Sequence, residues 1–241
     1  MNFRTLLLTM CALAGAITMA VAAEPTPKEM AKAKRDAMMA PVKDVPGLPR
    51  VLLLGDSISM GYTVKVRELL AGKANVHRPP ENCFESGNGL KKLDAWLGTG
   101  KWDVIHFNFG LHDNKYVDEK GTLTTTAKGK VVTTPAQYEK NIREFVARAK
   151  KTGATLIYAT TTPVPAKSNG RVEASEIAYN TAGSNVMREA GVTVNDLHAF
   201  VTGHKDAQQL PNGNVHFTEK GYAQLAEVVA AKIEAALAKR K

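Results

Sequence analysis

From residue 51 onward, short continuous apolar runs alternate with longer stretches of helical spacing. The first run, 51–54 (VLLL), is apolar throughout, as a strand buried on both faces requires, and it ends in Gly55-Asp56-Ser57. Residues 64–70 carry helical spacing and 74–77 read as a short second strand. Leu90, Leu93 and Leu97 fall on one helical face ahead of a third strand at 102–107 (WDVIHF), which ends in Asn108-Phe109-Gly110. Pro135 opens a helix reaching Lys151, and Gly153 stands where a helix-ending glycine belongs. Residues 154–160 (ATLIYAT) read as a strand, 173–189 as a helix and 192–194 as a strand; a last amphipathic helix begins at Thr218 and reaches about Ala238. Strands separated by helices predict an α/β fold, a three-layer α/β/α sandwich with a five-stranded parallel sheet, flavodoxin-like and doubly wound. In such a sheet, chemistry belongs at the carboxyl ends of the strands.

Three segments stand outside this alternation. Residues 118–134, rich in Thr, Lys and Gly, read as a long loop or a hairpin excursion. Residues 24–49 hold Pro25, Pro27, Pro41, Pro46 and Pro49 and read as a Pro-rich linker with one or two helical turns, leading into a domain over 50–241. Residues 1–23 place Arg4 before an uncharged apolar run closed by Ala20, Ala22 and Ala23. That is the pattern of a secretory signal peptide cleaved after Ala22 or Ala23, and it points to a periplasmic or extracellular protein with no stable membrane insertion once processed.

Composition narrows the classes. A chain of 241 residues, 44% hydrophobic and 23% charged, suits one domain with a sizeable core. The formal charge of +9 becomes +8 when Arg4 leaves with the signal peptide. No basic block is interleaved with aromatics, so nucleic acid is not an expected partner, although the charge suits anionic surroundings. Of the two cysteines, Cys11 also leaves, so Cys83 has no intramolecular disulfide partner. No Cys/His cluster has zinc spacing, and neither a metal nor a cofactor is expected.

Four post-strand segments remain as candidates for chemistry. Ser57, at a strand-to-helix turn, exposes its hydroxyl beside backbone N–H groups able to hold an oxyanion; the same residues also suit a plain helix cap. The turn Asn108-Phe109-Gly110-Leu111-His112-Asp113 offers side-chain donors, or simply satisfies its own backbone. Thr161-Thr162-Pro163-Val164-Pro165 is stiff, poor in donors and structural. His216, just before the last helix, is placed to take a proton from a hydroxyl.

Taken in order, Gly55-Asp56-Ser57, Gly110-Leu111-His112-Asp113 and Val215-His216-Phe217-Thr218 resemble the SGNH (GDSL-type) hydrolase superfamily over essentially residues 50–238. Trp102-Asp103-Val104-Ile105, the Thr-Pro-x-Pro segment and Tyr179-Asn180 add to the likeness. The resemblance implies a serine esterase with Ser57 as nucleophile, His216 as general base, and an oxyanion hole drawing on the Ser57 N–H and on the second and third sequence blocks.

This chain departs from the family pattern in three places. Phe84 stands where block two has a glycine, with Gly87 as a rival donor. His112 replaces the usual Asn of block three, so either neutral His112 or Asn108 donates, and a protonated His112 beside Asp113 would bind an anion more tightly. Gly213 replaces the Asp three residues before the histidine, and no acid ahead of it stands closer than Asp206. A Ser57–His216 dyad is therefore expected, with His216 oriented by Asn212, Asn214 or a backbone carbonyl. Loss of a triad acid typically costs about 10⁴ in rate. The function so implied is exported carboxylic ester hydrolysis, releasing acetyl or other acyl groups from a glycan or small-molecule ester. The rivals are a lipid-type acyl hydrolase (lysophospholipase or thioesterase) with an acyl groove at Met60, Tyr62 and Phe84, and a non-catalytic glycan-binding protein on the same fold.

Overall fold

The computed structural model describes residues 25–204 and 208–239, so the expected signal peptide at 1–23 and Asp206 lie outside the described residues. In chain order the elements are α1 (Pro27–Met39), β1 (Arg50–Leu54), α2 (Ser57–Leu69), β2 (Asn75–His77), α3 (Ser86–Leu97), β3 (Val104–Phe107), β4 (Tyr116–Val117), β5 (Lys130–Val131), α4 (Pro135–Lys150), β6 (Thr155–Ala159), α5 (Glu176–Ala190), β7 (Thr193–Asn195), α6 (Leu197–Gly203) and α7 (Glu219–Ala238).

Side-chain alternation along the strands sets the layers. Val51 and Leu53 of β1 enter one core with Ile58, Tyr62 and Val66 of α2 and with Leu225, Val229 and Ile233 of α7. Leu52 and Leu54 enter the other, with Ile105 and Phe107 of β3 and with Tyr138, Ile142 and Phe145 of α4. Both faces of the sheet are therefore covered, which is why these strands read as continuous apolar runs. Each such side chain removed from water contributes about 1.5–3 kcal/mol, and the two cores together hold the strand ends rigid.

The five-stranded sheet is parallel, in the order β2-β1-β3-β6-β7. Leu54 pairs with Phe107, and Phe107 with Tyr158, so β1, β3 and β6 end level with one another. The chain leaves β1 for one edge and later builds outward from β3 toward the other. The crevice between these two carboxyl ends is the topological switch point.

Several elements differ from the sequence reading. The stretch taken as a linker contains a 13-residue helix, α1, because Thr26 and Glu29 form a capping box at its start. Arg67 of α2 donates to the Ala37 and Ala40 carbonyls and ties its C-terminal end down. Helix α2 begins at Ser57, seven residues ahead of the expected helical pattern, since Asp56 caps it and small and polar residues fill its first turns. Helix α5 begins at Glu176 because Ala174, just ahead of it, is left-handed (φ 57°). Helix α6 was not anticipated; Asp196 caps it through the Ala199 N–H. The excursion at 118–134 takes the hairpin alternative, β4 pairing antiparallel with β5. Among the described residues no helix is long and apolar enough to cross a membrane.

Candidate active site

Ser57 is the first residue of α2, directly beyond the carboxyl end of β1. The Asp56 carboxylate accepts from the Ile58 N–H at 2.9 Å and turns the chain into the helix. His216 arrives from the far end of the sequence on an extended segment whose neighbours, Val215 and Phe217, are buried in the α2/α7 core. Alternation then sends the imidazole the other way, and a backbone bond from Leu210 N–H to the His216 carbonyl fixes the segment. The Ser57 hydroxyl donates to His216 Nε2 at 2.8 Å across 159 positions of sequence.

The proton arrangement of this pair follows from groups that can only donate. The His216 backbone N–H donates to Asn214 Oδ1 at 3.0 Å, so that atom is the amide oxygen. Nδ1 lies 2.8 Å from the same oxygen and must carry a proton to bond it, leaving the Nε2 lone pair for Ser57. Burial, then the nearby Arg171 charge, lowers the His216 pKa below its ordinary 6.5, so the imidazole is neutral and ready to accept a proton. Of the expected orienters, Asn214 holds this position. Asn212 does not; it turns the chain in a left-handed conformation (φ 62°). The missing acid has a steric cause: at Gly213, which has φ 73°, an added Cβ would meet the Lys167 carbonyl carbon and oxygen at 2.5 Å.

His112, the expected second donor, also has a determinate tautomer. Lys115 Nζ donates to His112 Nδ1 at 3.2 Å, so the ring's remaining proton sits on Nε2. Burial, helped by the charges of Lys115 and Arg171, pushes the His112 pKa down to about 3, so the ring is neutral rather than protonated. Gly110 makes this loop possible: at φ 148° an added Cβ would collide with Thr161 Oγ1 at 1.9 Å. Asn108, the rival donor, is spent elsewhere, since its amide donates to the Ala159 and Thr160 carbonyls at 2.9 and 3.3 Å.

Phe84 departs from its expected role as well. Its N–H donates to Asn82 Oδ1 at 2.8 Å and is not free for an oxyanion. The residue is left-handed (φ 55°), a conformation that explains the family's glycine, and its 42% exposed ring stands edge-on to His112. Gly87 lies in the first turn of α3, where an added Cβ would meet no group closer than Asn141 Nδ2 at 3.8 Å. The Ser57 N–H has no hydrogen-bond partner among the described residues. The acyl groove imagined at Met60, Tyr62 and Phe84 does not form, because Tyr62 is buried in the core.

Asp113 supports this arrangement from below. Its buried carboxyl takes the Ser86 N–H and hydroxyl, fastening the start of α3 to the loop after β3, and burial raises its pKa to about 7. Cys83 is buried with its thiol pushed up to about 12, chiefly by burial, and is no rival nucleophile. Among the described residues no group of three or more His, Cys, Asp or Glu side chains could hold a metal ion.

Two site residues escaped sequence reasoning. Arg171 lines a cleft of about 360 Å³ with Asn212, Asn214 and His216, and Lys115 sets the His112 tautomer. Both lie in segments after strands, the correct zone, but neither sits in a recognisable pattern. A larger cleft, about 550 Å³, lies away from this chemistry beside Pro49, Asp103 and Leu237.

A switch-point crevice where a serine hydroxyl meets a neutral imidazole beside fixed N–H donors defines the class of α/β acyl hydrolases. The pattern of the GDSL-like Lipase/Acylhydrolase family matches residues 53–224, and the chain belongs to that family of hydrolases acting on ester bonds. No curated protein matches the sequence. The fold is shared with a lipase/acylhydrolase from Enterococcus faecalis (TM-score 0.63, 19% identity, covering 78% of this chain and 96% of that one). It is shared also with the acetyl xylan esterase AlAXEase (0.61, 15%, 76% and 99%). A GDSL-like lipase from Bacteroides thetaiotaomicron is a third such structure (0.60, 15%, 85% and 97%).

Proposed function

We propose that this chain is an exported serine carboxylic ester hydrolase that releases acetyl groups from carbohydrate through an acyl-enzyme on Ser57. The single observation that carries the reading is the 2.8 Å bond from the Ser57 hydroxyl to the lone pair of His216 Nε2. Ser57 Oγ attacks the ester carbonyl carbon while its proton passes to Nε2. The carbonyl oxygen becomes an oxyanion received by the Ser57 N–H and His112 Nε2–H. Collapse breaks the bond to the alcohol oxygen, which takes the proton back from His216 and leaves. Water then repeats the sequence, giving its proton to His216 and releasing the acid, and Ser57 Oγ recovers its proton.

The carbohydrate half of the reading is supported by the amide-rich cleft beside His216 and by the likeness of fold to an acetyl xylan esterase. Export is supported by the signal-peptide pattern of residues 1–23. A second reading, hydrolysis of longer acyl esters, draws on the exposed rings and chains of Phe84 and Leu123. The two are separated by kcat/KM on p-nitrophenyl acetate and octanoate together with acetate release from acetylated glycans. The proposal expects preference for the acetyl ester and release of acetate; preference for octanoate with no acetate released overturns it.

A further inference from the structure

Arg171 is a liability in a hydrolase of neutral esters. A guanidinium near His216 disfavours the imidazolium that forms when Ser57 attacks, and Asn214 offers no compensating charge. Yet the group is held there by construction: Nε and Nη2 donate to the Leu111 carbonyl at 3.0 and 2.7 Å, and Nη1 bonds no described residue. No carboxylate among the described residues pairs with it. Asp56, whose charge it feels, is buried, caps α2 through Oδ1 and has no hydrogen bond to Arg171 from either oxygen, while Glu85 and Asp113 act on Lys115. Among the described residues Arg171 is the single charged one lining its cleft; the other polar walls are Ser168, Asn169, Asn212 and Asn214, groups suited to sugar hydroxyls. Ser168 Oγ is buried there without a partner among the described residues.

His216 returns its proton to the leaving alcohol, so a cleft walled by His216 receives the alcohol portion of the ester. We infer that this portion carries a carboxylate seated on Arg171, so that the substrates are O-acylated acidic sugars. The substrate then brings the negative charge that the dyad lacks, cancelling the effect of Arg171 on His216 and partly standing in for the absent triad acid. This inference rests on the esterase reading for its chemistry, though not for the binding it describes.

The test compares 4-acetoxybenzoate with its neutral methyl ester, and galacturonate with galactose as ligands in calorimetry, using the wild type, Arg171→Gln and Arg171→Lys. A charge-assisted bond in a partly buried cleft should favour the anionic ester by roughly tenfold or more in kcat/KM. Arg171→Gln should bring the ratio near one and Arg171→Lys should restore part of it. Galacturonate should bind the wild type and galactose should not. A wild-type ratio of one or less, or a preference that survives Arg171→Gln, overturns the inference, as does equal binding of the two sugars. Should neither ester be cleaved while galacturonate still binds through Arg171, the esterase reading falls and the anion cleft stands. The wild-type calorimetry decides the matter even if Arg171→Gln fails to fold.

Discussion

Replacing Asn214 by aspartate puts a carboxylate where an amide oxygen now lies 2.8 Å from His216 Nδ1. The side chains are isosteric and the new oxygen still accepts the His216 backbone N–H, so geometry is retained and only charge changes. When Ser57 gives up its proton the imidazole becomes cationic, and the aspartate stabilises it where the amide cannot. Opposite charges about 4 Å apart interact with about 4 kcal/mol at an effective dielectric near 20. Asn214 is exposed and solvent screens the pair, so the low end of the pKa change a close opposite charge produces applies, about one to two pH units or about 1.4–2.8 kcal/mol. The expected gain is roughly 10- to 100-fold in kcat for p-nitrophenyl acetate. The imidazolium is favoured in the free enzyme too, so the acid limb of the pH profile should move upward. An unchanged or lower kcat over pH 5–9 would refute the assignment of Asn214 as the group orienting His216.

The acid limb of wild-type kcat/KM should have its midpoint below 6.5, because burial and then Arg171 lower the His216 pKa and the base form persists at lower pH; Arg171→Gln should move that midpoint up. A midpoint at or above 6.5 contradicts the electrostatic reading of the site. His112→Phe should lose about 10²–10³ in kcat if its Nε2–H holds the oxyanion, while His112→Asn, restoring an amide donor, should recover most of it; equal activity of both variants counts against His112 as a donor. At Phe84, held at φ 55°, the Gly variant should be more stable than the Ala variant by about 1 kcal/mol, or about 2–4 °C in Tm, since both lack the ring and only Ala is strained; an Ala variant of higher Tm contradicts this.

The sheet was legible because its strands are buried on both faces and therefore apolar without interruption, as in Val51 to Leu54. The meeting of Ser57 with His216 was legible because polar groups of a doubly wound sheet gather after its strands, and the family motifs supplied the pairing. What could not be read was the destination of individual N–H groups. Asn108 carries the same amide whether it faces the crevice or the Ala159 and Thr160 carbonyls, and only packing decides. Asn212 and Asn214 were indistinguishable until the turn at Gly213 placed one of them against the imidazole. Arg171 and Lys115 reach the site from loops at long range, where periodicity carries no information. Helix α1 was hidden by flanking prolines, although its Thr26–Glu29 capping box was present in the sequence.

The most direct test of the central claim is turnover of p-nitrophenyl acetate by the wild type, Ser57→Ala and His216→Ala, with folding of each checked by circular dichroism. A Ser57–His216 dyad requires wild-type turnover that both substitutions reduce to the uncatalysed background, with an acetylated peptide containing Ser57 recoverable after acid quench of the wild type. Turnover that survives in folded Ser57→Ala, or a folded wild type that cleaves neither this ester nor an acetylated glycan, would contradict it.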